Sequence, residues 1–147
     1  MLSGEVAIFA ECWGSRGPCV VLGHGFGGSA RNFRPQARAL AANHRVVLFD
    51  ARGHARSDAP EPAAAYQPEL FVADLGAVLD AFDTKRAVVG GLSMGAGIAL
   101  RFAAEGARVV VNDLNAENGE HTVESITQAG GEARFMAGDV SRDADVK

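Results

Sequence analysis

Hydrophobic and polar positions alternate along the chain in blocks whose lengths suit strands and helices in turn. Apolar runs of four or five residues predict buried strands, and runs with apolar residues at helical spacing predict helices between them. The predicted strands cover residues 18–22, 45–49, 86–90, 108–112 and 134–137, and the predicted helices cover 32–42, 71–82, 96–105 and 117–128. Apolar strands alternating with helices are typical of a parallel sheet covered on both faces. The pattern therefore predicts a three-layer, doubly wound α/β fold of about five parallel strands, with an antiparallel strand near residues 6–12.

Composition narrows the range of functions without identifying one. The 147 residues are 48% hydrophobic and 22% charged, which is typical of a globular domain. A net charge of -4 and the lack of a basic stripe argue against nucleic-acid binding, and strand-sized apolar runs argue against a membrane span. Cys12 and Cys19 have neither metal-ligand nor CxxC spacing, so we expect reduced thiols, no metal site and a cytoplasmic location.

Three motifs follow predicted strands along the chain. His-Gly-Phe-Gly-Gly occupies residues 24–28, Asp-Ala-Arg-Gly-His-Ala-Arg-Ser-Asp occupies residues 50–58, and Gly-Leu-Ser-Met-Gly occupies residues 91–95. The third fits the pattern G-x-S-x-G between a strand and a helix, which is a nucleophile elbow. Small flanking residues let the chain turn sharply there and hold the hydroxyl of Ser93 above the sheet.

Residues 1–99 resemble the α/β-hydrolase superfamily through these three motifs in this order. The resemblance implies acyl transfer, with Ser93 Oγ as the nucleophile. The backbone N–H groups of Phe26 and Met94 would hold the oxyanion. It also implies that His24, Arg52 and His54 order loops rather than contact substrate.

The catalytic triad of that superfamily is incomplete in this sequence. The family places its triad acid after a later strand and its histidine near the C-terminus. Asp113 lies where some members carry the acid, but no histidine is evident for it to orient. The four histidines are His24, His44, His54 and His121. We therefore expect a truncated hydrolase that is weakly active or inactive.

Residues 98–147 resemble a different family, the short-chain dehydrogenases/reductases. The resemblance implies that Asp113, at the end of a strand, binds the adenosine ribose of NAD, and that Asp139 contacts the adenine. Only Gly95 remains of the family's phosphate-binding glycines, because Val88, Val89 and Ser93 occupy the other positions. The catalytic Tyr-x-x-x-Lys pair is absent.

The sequence thus predicts one α/β domain over 1–147 that looks chimeric, with a hydrolase-like half at 1–99 continuing into a Rossmann-like half at 100–147. The favoured function is a serine esterase or lactonase without a cofactor, acting on a small-molecule ester or acyl substrate. The alternatives are an NAD-binding oxidoreductase fragment and a non-catalytic α/β fold. We expect neither a nucleic-acid nor a membrane partner, and expect self-association through an exposed sheet edge.

Overall fold

The computed structural model describes residues 1–94, 100–103 and 106–139. The chain divides into two compact units, Met1–Ala99 and Leu100–Lys147. None of the described helices is both long enough and apolar enough to cross a membrane.

Over its described residues, 1–94, the first unit contains six strands in two sheets. A short antiparallel pair joins β1 (Leu2–Ser3) to β2 (Val6–Ala7). The main sheet consists of β3 (Ala10–Trp13), β4 (Cys19–Gly23), β5 (Arg45–Phe49) and β6 (Ala87–Gly91), in the order β3-β5-β4-β6. β4 runs parallel to both β5 and β6, and β3 pairs antiparallel with β5. The predicted parallel strands at 18–22, 45–49 and 86–90, and the antiparallel strand near the N-terminus, are confirmed.

The helices of this unit begin at residues that suit a helix start. A one-turn 3-10 helix, Ala30–Phe33, is capped by Ser29, and α1 (Arg34–Leu40) carries a proline in its first turn. A second 3-10 turn, Ala63–Tyr66, precedes α2 (Pro68–Ala81), which starts on its own proline. The apolar face of α2 is fully buried at Leu75 and Val78. Burial of such a side chain contributes about 1.5–3 kcal/mol, so tertiary packing fixes this helix.

The core lies around the two central strands, β4 and β5. Val21, Val46, Val47 and Leu48 are almost completely buried, and Ala37 of α1 packs against the sheet. The chain passes from β4 to β5 on one side and later to β6 on the other side. The strand order therefore reverses at β4, and such a switch point opens a crevice at the carboxyl ends of the strands.

The second unit is a parallel strand–helix–strand element. It contains β7 (Arg108–Asp113), α3 (Ala116–Gln128) and β8 (Glu132–Ala137). Residues 100–103 are also helical. The side chain of Phe135 on β8 lies so close to α3 that a Cβ at Gly119 would come within 2.1 Å of it. Glycine at position 119 therefore allows the close approach of helix and strand.

The observed pairing shows only part of the predicted sheet. Three parallel strands form part of the first sheet, whereas β7 and β8 form a separate two-stranded sheet. Along β7 exposed and half-buried residues alternate, so β7 does not resemble the central strand of a sheet covered on both faces. A single sheet of about five parallel strands, with its Rossmann-like continuation, is therefore not shown.

Candidate active site

Ser93 lies in a turn just after β6, and the next residue, Met94, is helical. Its side chain is exposed, and its backbone φ of +54° is left-handed. Such a conformation costs a residue other than glycine about 1–3 kcal/mol. Residues strained in this way cluster at functional sites. The structure thus places the serine where the G-x-S-x-G motif predicts it.

A tight turn over residues 25–28 follows the neighbouring strand β4. The N–H of Gly28 donates to the carbonyl of Gly25 at 3.0 Å, and Gly27 has a φ of +71°. These features are typical of a type II turn with Phe26 in its second position. The ring of Phe26 is 88% exposed, so this residue contributes little to the core.

The turn after β4 and the serine after β6 are direct neighbours. A Cβ at Gly25 would lie 3.4 Å from Ser93 Cβ and 3.3 Å from the carbonyl oxygen of Leu92. The N–H of Leu92 also donates to the carbonyl of Gly23 at 3.2 Å, which extends the β4–β6 pairing to the elbow. The structure therefore brings the loops of Ser93, Phe26 and Met94 to one edge of the sheet.

His24 ties the turn after β4 to the loop after β5. Its Nε2 accepts from the N–H of Ala51 at 3.0 Å, so Nδ1 carries the proton and donates to the Gly25 carbonyl at 2.7 Å. The residue is only 2% exposed, and this burial lowers the pKa of the imidazole. Both ring nitrogens are occupied, so His24 orders the loop, as the sequence predicts.

Asp50, at the end of β5, is fully buried and accepts hydrogen bonds from two segments of the chain. Its Oδ1 accepts from the N–H of Ala30 at 2.6 Å, and its Oδ2 accepts from Arg56 Nε at 2.7 Å. Burial alone would raise the pKa of Asp50, but the hydrogen bonds from Arg56 and Ala30 outweigh it and lower the pKa. The carboxylate therefore remains charged and fixes the loop that starts at residue 50.

Arg52 makes a buried ion pair with Asp74 of α2. Arg52 Nε lies 2.7 Å from Asp74 Oδ2 and Arg52 Nη2 lies 2.6 Å from Asp74 Oδ1, and Nη1 donates to the carbonyl of Ala65. The hydrogen bond to Asp74 raises the pKa of Arg52. The sequence patterns did not predict a role for Asp74. The feature that could have indicated it is the position of this carboxylate, three residues after Phe71 and four before Val78, on the apolar face of the helix.

His54 lies beside this ion pair and faces the turn after β4. Its Nδ1 lies 2.9 Å from the carbonyl oxygen of Arg52. The centre of its ring is 5.1 Å from that of His24 and 5.6 Å from that of Phe26, which it meets at 85°. Three aromatic rings thus stand together at the edge that carries Ser93.

Comparison with known proteins agrees with this arrangement of strands and loops. A family model described as alpha/beta hydrolase fold matches residues 18–138, which is well over half of the chain. This chain belongs to the α/β-hydrolase fold family. The match runs through the turn after β4, the loop after β5 and the elbow at Ser93.

The names of individual relatives of this chain indicate different activities. Epoxide hydrolase B of Mycobacterium tuberculosis is 43% identical over 89 residues, covering 60% of this chain and 25% of that protein. An uncharacterized oxidoreductase of Thermotoga maritima is 44% identical over 66 residues, covering 44% of this chain and 26% of that protein. The crystal structure of the enol-lactonase from Burkholderia xenovorans LB400 matches with a TM-score of 0.67 and 29% identity, covering 74% of this chain and 44% of that chain. The α/β-hydrolase described here therefore spans about a quarter of the length of these two curated relatives.

The residues predicted to bind NAD fall in the second unit or outside the described residues. Asp113 ends β7, and its Oδ1 accepts from the N–H of Asn115 at 2.8 Å. Asp139 lies half-buried just after β8, the parallel neighbour of β7. Gly95 lies outside the described residues. Across residues 1–94, 100–103 and 106–139, no three His, Cys, Asp or Glu side chains are grouped to hold a metal ion.

Proposed function

We propose that this α/β-hydrolase transfers acyl groups through Ser93, acting on small esters or lactones. The observation that carries the proposal is the contact between Ser93 and the turn after β4. An exposed serine in a left-handed conformation, directly against a glycine turn, has no packing role that would account for its geometry. Both loops lie at the carboxyl edge of a switch point, where open α/β sheets bind ligands.

The chemistry of the nucleophile favours esters over epoxides, although one relative is named an epoxide hydrolase. Attack of a serine hydroxyl on an ester gives an acyl-serine, which water can hydrolyse to free the enzyme. Attack on an epoxide would give an ether of serine, which water does not readily cleave. The enol-lactonase is a structural relative whose name indicates an ester-like substrate. Ser93 therefore supports acyl transfer.

The proposed oxyanion donors are the backbone N–H groups of Phe26 and Met94. Phe26 occupies the second position of the turn that touches Ser93, and Met94, the residue after Ser93, is helical. A helix N-terminus and a tight turn both offer N–H groups without intrachain partners. Each such donor contributes about 3 kcal/mol to stabilisation of the tetrahedral intermediate.

The test is hydrolysis of p-nitrophenyl acetate by the wild-type chain and by Ser93→Ala. For residues 1–147 alone we expect slow turnover, well below the roughly 10 per second of a typical enzyme, because none of their four histidines stands where the family carries its triad base. A fluorophosphonate should label the wild-type chain at Ser93 and leave Ser93→Ala unlabelled. Equal hydrolysis and equal labelling of the two proteins would contradict the proposal.

A second candidate is NAD binding by the second unit, favoured by the similarity to an oxidoreductase over 66 residues. Asp113 and Asp139 follow adjacent parallel strands, where carboxylates could contact the adenosine end of NAD. We expect weak binding, because Val88, Val89 and Ser93 replace residues of the dehydrogenase phosphate loop. Micromolar affinity by calorimetry that is lost in Asp113→Ala would favour this candidate.

The third possibility, a non-catalytic fold, corresponds to failure of both tests. A chain that neither reacts with the phosphonate nor binds NAD would support it.

We keep the cytoplasm as the proposed compartment, since Cys12 and Cys19 are both free thiols.

A further inference from the structure

The side chain of Phe26 serves neither the turn that carries it nor the core. A type II turn requires a positive φ at its third position, which Gly27 supplies, and its second position favours proline rather than phenylalanine. The ring of Phe26 is 88% exposed, so burial does not account for it either. A single exposed apolar side chain is common on protein surfaces, so its position decides what it indicates.

The position of Phe26 is beside the proposed nucleophile. It directly follows Gly25, where a Cβ would lie 3.4 Å from Ser93 Cβ. The strands β4 and β6, which precede these residues, are parallel and end at the same edge, at the switch point where open α/β sheets bind ligands. Ligand sites are lined mainly by apolar and aromatic side chains. An acyl group attached to Ser93 Oγ would therefore lie close to Phe26.

The ring of His54 fixes the direction of the Phe26 ring. The centres of the two rings are 5.6 Å apart and their planes meet at 85°, which is the edge-to-face arrangement that aromatic pairs prefer. The loop of His54 is itself well held, because Nδ1 of the histidine donates to the carbonyl of Arg52 at 2.9 Å. Gly53 and Ala55 have φ values of +75° and +47°, so the chain turns sharply on both sides. The Phe26 ring is thus oriented by one neighbour while most of its surface stays open to a ligand.

The arginines of the loop after β5 are not available to bind a charged acyl group. Arg52 is paired with Asp74, and Arg56 is paired with Asp50. A carboxylate on the substrate would lose water against the ring of Phe26 without gaining either arginine as a partner, which is unfavourable. An uncharged, apolar acyl group gains from the same contact, because both surfaces leave water.

We propose that Phe26 determines the specificity of this site, and that it selects esters and lactones whose acyl part carries an aromatic ring. This inference rests on the proposed function and narrows its substrate class. The ring of such a substrate stacks, offset, on the open surface of Phe26, an arrangement that adds to the gain from burial alone. His54 is a positioning residue, which contacts Phe26 and not the substrate. The N–H and the side chain of Phe26 would thus act on the two ends of one acyl group.

The experiment compares p-nitrophenyl esters that share a leaving group: the acetate, the phenylacetate and the hemisuccinate. Each kcat/KM is divided by the rate of spontaneous hydrolysis, and the ratio of phenylacetate to acetate is the readout. The variants are Phe26→Ala, His54→Ala and His54→Phe, the last of which keeps an aromatic ring at position 54. Leu2→Ala is the matched control, because Leu2 is also exposed, at 68%, but lies on β1 in the other sheet. Circular dichroism and thermal melting establish that each variant is folded.

We expect the wild-type chain to prefer the phenylacetate roughly tenfold, at the low end for an apolar group that fills a subsite. Phe26→Ala and His54→Ala should remove most of this preference, whereas His54→Phe and Leu2→Ala should keep it. Because the ratio compares two substrates in one variant, a general loss of activity from a disturbed turn cancels. Retention in His54→Phe would show that the ring at position 54 matters, and not its hydrogen bond. An unchanged ratio in Phe26→Ala, or a wild-type preference for the hemisuccinate, overturns the inference.

A binding measurement separates this inference from the proposed function. Phenylacetamide resists hydrolysis, so NMR can follow its effect on the N–H signals of Phe26 and Gly27 without reaction at Ser93, with acetamide as the control. If Ser93→Ala abolishes ester hydrolysis while Phe26→Ala changes neither the ratio nor the shifts, the proposed function stands and only this inference fails. If Ser93 is unreactive but phenylacetamide shifts these signals in the wild type and not in Phe26→Ala, the aromatic subsite stands and the proposed function fails. If hydrolysis and shifts are both absent, both fail.

Discussion

Gly25 and Ser93 are in contact although 68 positions separate 25 from 93 in the sequence, and a Cβ at position 25 would fit tightly against the carbonyl oxygen of Leu92. A methyl group there would come within 3.4 Å of Ser93 Cβ and 3.3 Å of the Leu92 carbonyl oxygen. The parallel pairing of β4 and β6 brings the two residues together, because both strands end at the same edge. The size of residue 25 therefore affects the position of Ser93.

Replacing Gly25 by alanine should lower Ser93-dependent hydrolysis roughly tenfold, because a misplacement of a few tenths of an ångström weakens alignment with the oxyanion donors. The control is Gly76→Ala in α2, where a Cβ would meet nothing within 4 Å. That change should leave the hydrolysis rate unchanged and stabilise the helix by about 0.5–1 kcal/mol. Esterase assays and urea denaturation of both variants measure the two effects. Equal activity of Gly25→Ala and the wild type would mean that the loops adjust freely.

Ser93→Gly and Ser93→Ala should both abolish phosphonate labelling, yet differ in stability. Glycine adopts a φ of +54° without strain, whereas alanine retains the steric cost that serine has. We expect Ser93→Gly to be more stable than Ser93→Ala by about 1 kcal/mol. Chemical denaturation of the two proteins side by side measures this difference. A more stable alanine variant would show that the left-handed conformation is not kept in solution.

Breaking the pair between Arg52 and Asp74 should be far more damaging than breaking the pair between Arg34 and Glu11. The side chains of Arg52 and Asp74 are 3% and 1% exposed, so Asp74→Asn or Arg52→Ala leaves a buried charge alone and should cost about 3–5 kcal/mol. The side chains of Arg34 and Glu11 are 39% and 18% exposed, and Arg34→Ala should cost much less, because water screens this pair.

Urea denaturation measures the loss in the free energy of unfolding for the variants of both ion pairs. Similar losses in the two pairs would mean that water reaches Arg52. The double variant Arg52→Met, Asp74→Leu should recover much of the stability, since neither charge then remains buried.

Stability should fall in two stages as the pH is lowered. Burial lowers the pKa of His24, so the unfolded chain takes up a proton there first, and stability declines below about pH 6.5. The hydrogen bond from Arg34 lowers the pKa of Glu11, and the bonds from Arg56 and Ala30 lower that of Asp50 against the effect of burial. Their contributions are present above about pH 4 and are lost as the pH falls further.

The free energy of unfolding, measured in urea at half-unit pH steps, tests these stages. In His24→Asn the first stage should be absent and the second should remain. A first stage that persists in His24→Asn would assign it to another group.

The chain should associate through the face of the β7–β8 pair that α3 does not cover. Val110 and Met136 occupy this face and are 61% and 59% exposed, and within the described residues β8 pairs with β7 alone. An unpaired strand edge beside apolar side chains favours edge-to-edge contact. Light scattering after size-exclusion chromatography at micromolar concentration should detect a dimer or larger species. Met136→Lys should reduce it, whereas Leu2→Lys, a change at an exposed strand residue of the other unit, should not.

Local patterns were sufficient to predict most elements of the first unit. The strands at 18–22 and 45–49 differ from the observed β4 and β5 by at most one residue at each end, because buried parallel strands read as continuous apolar runs. The pairing of the strands beyond β6 was not predictable, since an apolar run indicates a strand but carries no information about its partner.

The candidate site was predictable where a motif fixes the backbone and unpredictable where side chains meet across the fold. The turn at Ser93 depends on small residues adjacent in sequence, so a local motif predicts it. The pair between Arg52 and Asp74 joins a loop to a helix 22 positions later, and only the fold brings them together. The orientation of His54 likewise depends on a hydrogen bond to the Arg52 carbonyl, which no spacing rule reveals.

The buried carboxylate of Asp50 has a consequence for how the first unit exchanges with solvent. It accepts a hydrogen bond from the N–H of Ala30, and His24 accepts one from the N–H of Ala51. Two amides outside the strands are therefore bonded to buried side chains. These amide hydrogens exchange with deuterium only when their hydrogen bonds to the side chains break, which requires β5 and the turn after β4 to open together. The loops that form the candidate site therefore belong to the same cooperative unit as the core, so a ligand of the proposed site would meet a surface that is already in place.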